Sequence, residues 1–205
     1  MTVNFSLALS IGAMSISLFS LGFTAYQQYF KGPRISMLIA QRMTACYEHD
    51  GRLYLHLSVI FRNKGAQYAT IRLVGGQISS ETQGTSSPLR WVAFLKNQSS
   101  NLSKEGEALR AFASIEAFAD VIVVPSRSIL TKRIQFITTD KYALQWGAYT
   151  INLFTMEGLR TRVSARAAAT FNVSDETLNT LAKSRADENT HVTPCTAVIP
   201  LEFKV

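Results

Sequence analysis

The chain has 205 residues, 47% of them hydrophobic, and a formal net charge of +7. One folded domain plus a short appended segment is the natural organisation, with enough chain to bury a real core. The basic balance suits an anionic lipid surface or an acidic partner. No stretch carries five or more like charges, so a nucleic-acid partner is not expected.

The N-terminus is the most distinctive stretch. From Phe5 to Tyr26 there is no charged side chain, and the first cation is Lys31. At about 1.5 Å of rise per residue, some 20 such residues match a bilayer's hydrocarbon core, and Tyr26, Tyr29 and Phe30 would form an aromatic collar. A cleaved signal wants basic residues before the apolar run and a small-residue cleavage site after it. Here the leader has none, and Ser20-Leu21-Gly22 lies inside the run. An interfacial helix would need a charged face. The expectation is a single membrane-spanning anchor over 1–30 and a domain over 31–205. Lys31, Arg34 and Arg42 follow the span, which places the domain on the cytoplasmic side of an inner membrane, with a periplasmic or extracellular domain as the alternative.

Within the anchor, Ser6, Ser10, Ala13, Ser17, Ser20 and Thr24 fall at alternating spacings of four and three. Small side chains on one stripe allow helix backbones to approach, so self-association or docking on another helix is the functional expectation. The plain alternative is that each hydroxyl bonds its own backbone. Gly32-Pro33 then ends the helix, because proline lacks the N–H and biases its neighbour toward extended geometry.

From Ile35 the period changes to two. Leu53, Leu55, Leu57, Val59 and Phe61 alternate with Tyr54, His56, Ser58, Ile60 and Arg62, the pattern of a half-buried strand. On this parity His56 points outward as a lone exposed histidine. Asn63-Lys64-Gly65 is a turn, and β-rich sequence resumes from Tyr68 to Ile78, where Gly75-Gly76 suggests a bulge or strand end. Further strands are predicted around Leu89–Leu95, Leu130–Phe136, Tyr149–Leu153, Val163–Ala169 and Ala197–Phe203. In the second of these, Lys132 is a snorkelling exception on an apolar parity. Seven or eight short strands imply an antiparallel sandwich. Two helical insertions are expected: Ser103–Asp120, with apolar residues every third position, and Ser174–Glu188, which opens on an N-cap serine and two acids.

The segments LHLSVIFRNKGAQYATIRLVG, VVPSRSILTKRIQF and WGAYTINLFTMEG resemble strands of bacterial immunoglobulin-like modules. Together they cover about a third of the chain. They also resemble short bacterial membrane-anchored proteins with one N-terminal span and such a sandwich, most of unknown function. The resemblance implies an Ig-like β-sandwich and carries over no active site, and the antibody-type disulfide and tryptophan core is missing.

No chemistry-bearing constellation is evident. His49, His56 and His191 lack metal-ligand spacing, Cys46 and Cys195 form no C-x-x-C, and there is no nucleophile elbow or phosphate loop. No cofactor, metal or catalytic residue is expected. The one non-structural feature is Arg160, Arg162 and Arg166, which share a strand parity and suit phosphates or carboxylates. Charged protection of an edge strand against pairing with other chains is the plainer explanation of them. The sequence thus predicts a non-enzymatic tethering domain that binds a protein partner or a second copy. A lipid- or ligand-sensing module using the arginine face is the alternative, and a hydrolase without a local motif is third.

Overall fold

In the computed structural model, which describes residues 2–26, 32–47, 50–95, 115–157, 163–186 and 197–201, the period-two stretches become long strands. The helix α1 (Thr2–Ala25) precedes β1 (Ile35–Tyr47), β2 (Arg52–Asn63), β3 (Ala69–Ser80), β4 (Ser86–Leu95), β5 (Ile115–Phe118) and β6 (Ile122–Val124). Then come β7 (Ile129–Lys141), β8 (Gly147–Glu157), β9 (Val163–Val173), the helix α2 (Asp175–Ala186) and β10 (Ala197–Pro200). The described strands form one antiparallel sheet in the order β10-β1-β2-β7-β4-β3-β8-β9, with β5 added to β4 and β6 to β3.

The expected two-sheet, Ig-like sandwich is corrected to a nearly closed barrel. The reason lies in two strands that join what would otherwise be separate sheets. β7 pairs with both β2 and β4, and β3 pairs with both β4 and β8. Hydrogen bonding therefore runs unbroken along the sheet, and β9 comes round against β1 and β10. β2 and β3, consecutive in the resemblance to Ig modules, are not neighbours in the sheet.

The barrel interior is built from the predicted parity. Leu53, Leu55, Leu57, Val59 and Phe61 of β2 are fully buried together with Ile134 and Phe136 of β7, and Ile151 of β8. Tyr149 stacks on Phe171 with ring centroids 5.3 Å apart, and its hydroxyl accepts the Gln145 N–H at 2.8 Å, so a buried phenol keeps a partner. Lys132 takes the exceptional place foreseen for it. Its ammonium lies 5.2 Å from the Phe94 ring centroid and donates to Glu116 at 3.2 Å.

Asn63 closes one end of the barrel. Its amide nitrogen donates to the carbonyls of Gln67 at 2.7 Å, Pro125 at 3.1 Å and Val124 at 3.2 Å, and its oxygen accepts from the N–H of Gly65 at 2.9 Å and of Arg34 at 3.3 Å. One buried amide thus ties the start of β1 to the β2–β3 and β6–β7 connections. Gly65 is required there, because a Cβ would sit 2.6 Å from the Gly32 carbonyl and 2.7 Å from the Arg34 nitrogen.

The predicted membrane-spanning anchor is also corrected. The apolar run folds as α1, but among the described residues no helix is long and apolar enough to cross a membrane. Serine, threonine and glycine recur through α1 and dilute its aliphatic residues. The hydroxyls of Ser15, Ser17 and Thr24 return to the carbonyls of Ile11, Ala13 and Ser20 at 2.8–2.9 Å, the local bonding that lets a helix carry them.

Of the two predicted helical insertions, the second is present as α2. Ser174 caps it by accepting the Thr177 N–H at 3.2 Å, and Leu181 is buried with Leu178 half-buried beside it. The first lies mostly outside the described residues. Its end, Ile115–Phe118, is the strand β5 rather than helix, because pairing with β4 satisfies its backbone.

Candidate functional site

A side chain on the outer face of a barrel meets its neighbours along cross-strand rows. One such row crosses six strands in direct register: Tyr54 of β2, Ile137 of β7, Arg90 of β4, Gly75 of β3, Phe154 of β8 and Arg166 of β9. Arg90 and Arg166 are exposed, and the Phe154 ring lies on the backbone between them. Gly75 makes room for that ring, since a Cβ there would come within 2.5 Å of Phe154 Cζ. Gly75-Gly76 is thus no strand end: both lie inside β3, paired on each side. Three strand spacings separate the two arginines, about 14 Å of backbone.

Beside Arg90 the row opens into a groove of about 180 Å³ lined by Arg52, Tyr54, Arg90, Val92, Ile137 and two threonines, Thr138 and Thr139. Arg52 also bonds the Asp50 carboxylate, which the Arg52 backbone N–H and then its guanidinium hold below the usual range. The lining contains two guanidiniums, a phenol and hydroxyls, but no carboxylate, imidazole or thiol. Such a lining has the chemistry to pair with an anionic group.

The next polar row is sealed. His56 lies opposite Thr44 of β1 and Gln135 of β7. The expectation of an exposed histidine is corrected: the side chain is buried, with 6% of its surface accessible. Its Nε2 is 3.2 Å from the Gln135 amide nitrogen, while its Nδ1 and the Thr44 hydroxyl are buried without a partner among the described residues. Burial, aided by the Arg133 charge, pushes the imidazole pKa down to about 4.

Of the predicted arginine face, the structure places Arg166 in the basic row, whereas Arg160 and Arg162 lie outside the described residues. Arg90 was not singled out from sequence, because only the register of β4 on β3 brings it into line with Arg166. The predicted helix stripe of Ser10, Ala13, Ser17, Ser20 and Thr24 is exposed on α1, and the Ser6 side chain lies outside the described set. Cys46 is buried on β1, and Cys195 lies outside the described residues. Among the described residues no three His, Cys, Asp or Glu side chains come together as a metal site.

No family model matches this chain, and no curated protein matches it. Among solved structures it is similar to a family 123 glycoside hydrolase from Clostridium perfringens, described in connection with glycolipid glycan hydrolysis, at 10% identity and a TM-score of 0.34. The match covers 63% of this chain and 22% of that one.

Proposed function

We propose that this chain is a non-enzymatic tethering module, in which α1 attaches the protein to an apolar partner and the barrel's basic row recognises an acidic protein. The observation that carries this reading is the exposure of α1. Leu9, Met14, Ile16, Leu18, Phe19 and Leu21 are each 61–76% exposed, and at 100° per residue they spread around most of the helix. With no charged side chain, and with apolar residues over most of its circumference beside the hydroxyl stripe, the helix needs apolar material against it. The Arg90–Phe154–Arg166 row adds guanidiniums spaced for acidic side chains beside an aromatic surface.

The test compares the full chain with a version beginning at residue 32 by light scattering in detergent-free buffer. The full chain is expected to self-associate or to need detergent, and the shortened chain to stay monodisperse. A full chain that is monomeric without detergent overturns the tethering role of α1.

A further inference from the structure

The Asn63 knot gathers more than backbone. It fixes four exposed cations at the end of the barrel where the chain arrives from α1. The Lys64 N–H donates to the Arg34 carbonyl at 2.9 Å, and the Arg127 N–H to the Gly65 carbonyl at 3.2 Å. Arg62 stands opposite Ser36 on one side and Ile129 on the other. Arg34, Arg62, Lys64 and Arg127 are all exposed. On the same connections and strand starts, among the described residues, two large apolar side chains are exposed, Tyr68 at 67% and Ile129 at 65% accessibility. The acids nearby are differently placed: Glu116 pairs with Lys132, Asp120 accepts the Val121 N–H, and Glu157 lies along β3 opposite Ile71. At the opposite end the balance reverses, with Asp50, Glu81 and Asp140 at the strand termini and Asp175 and Glu176 opening α2.

Arg127 carries a second signal. Its φ is 52°, in the left-handed region, and among the described residues it is the one non-glycine with positive φ. Glycine would adopt that geometry with less strain, so the turn is held in a costlier form with a guanidinium at its tip.

We infer that this end of the barrel docks on an anionic lipid surface. Arg34, Arg62, Lys64 and Arg127 meet headgroup phosphates, while Tyr68 and Ile129 enter the boundary beneath them. Cations interleaved with exposed aromatic and aliphatic side chains suit that boundary, where charge and apolar contact act together. The described chain enters the barrel at this same end, through Gly32, Pro33 and Arg34. The inference thus deepens the tethering reading by giving its partner surface a chemistry.

The experiment measures flotation of the full chain with vesicles of phosphatidylcholine alone and of an equimolar mixture with phosphatidylglycerol. Because α1 contributes to both, the ratio is the readout. It is expected to favour the anionic vesicles by more than about tenfold and to shrink as salt rises, each cation being worth about fivefold. The triple variant Arg62→Glu, Lys64→Glu, Arg127→Glu should abolish the preference, whereas the Arg90→Glu, Arg166→Glu pair should retain it. Arg127→Gly separates binding from folding, lowering the preference about fivefold without lowering the melting temperature. Equal binding to both vesicles overturns the inference, as does a preference that survives the triple variant. Poly-glutamate capture that the triple variant loses and the Arg90→Glu, Arg166→Glu pair keeps, without a preference for anionic vesicles, also overturns it and assigns this end to an acidic protein. Failure of the tether alone shows separately, as a full chain monomeric without detergent.

Discussion

The two faces of β2 are built on different principles. The inner face repeats one property five times, and Leu53, Leu55, Leu57, Val59 and Phe61 are all fully buried. The outer face repeats nothing: Tyr54 edges a groove, His56 is sealed with an unpartnered nitrogen, and Arg62 stands in solvent. Redundancy makes the inner face tolerant in kind and costly in volume. On the outer face each position has its own role, so changes there should act through charge or protonation and leave packing nearly untouched.

The largest effect should come from the inner face. Phe136 lies between Leu55 and Trp91 in register and is fully buried. Phe136→Ala removes the ring and leaves a cavity that a closed sheet cannot collapse, at a cost of about 3–5 kcal/mol. Urea unfolding at neutral pH measures it. A loss below about 1 kcal/mol would show that the barrel interior is loosely packed and that the contrast between faces is false.

His56 should give the next largest effect, and only in one pH window. Its folded pKa is lowered from 6.5 to about 4, so the native state resists the proton that the unfolded chain accepts. The stability this burial allows is fully present above pH 6.5 and is lost as pH falls toward about 4. For a shift of this size the loss is of order 3 kcal/mol. His56→Gln removes the titration, so the difference in urea midpoint between pH 7 and pH 5 should be smaller in the variant. Identical pH dependence in the two proteins would mean that the imidazole is solvated in the folded state.

How much of this was legible in the sequence follows the same division. The inner parity of β2 was read correctly because periodicity reports burial on one face. The capped α2 was found because Ser174 and the acids after it act locally. Reading failed where the third dimension decides. The bulge between Trp91 and Ala93 shifts the parity of β4, bringing Phe94 rather than Ala93 into the core cluster, and single-residue bulges leave no period to detect. Sheet closure depends on β7 and β3 each finding two partners, which no local pattern encodes. His56 looked exposed because alternation distinguishes the faces of a strand but not whether the second face is covered. α1 was legible as a helix, whereas its role as a membrane span was inferred from run length with too little weight on its serines and glycines. In the basic row, Arg166 was visible as part of an arginine alternation, but Arg90 and Phe154 join it only through register.

The smallest effect on stability should come from that row, and there the comparison is sharpest. Arg90 and Arg166 are exposed, so Arg90→Glu with Arg166→Glu should change unfolding free energy by no more than about 0.5 kcal/mol each. Binding should behave oppositely. Reversing both charges replaces attraction by repulsion along the same 14 Å or so of strand spacing, so affinity for an acidic polypeptide should fall by more than about tenfold, with its salt dependence lost as well. Lysine at both positions offers the control, since it retains charge but not the planar fork. If the lysine pair binds as the native chain does, the row acts as a charged surface; if it binds as the glutamate pair does, guanidinium geometry beside Phe154 sets the recognition. Poly-glutamate binding unchanged by charge reversal would remove this row from the recognition role and leave the outer face of β3, β4, β8 and β9 as solvated sheet.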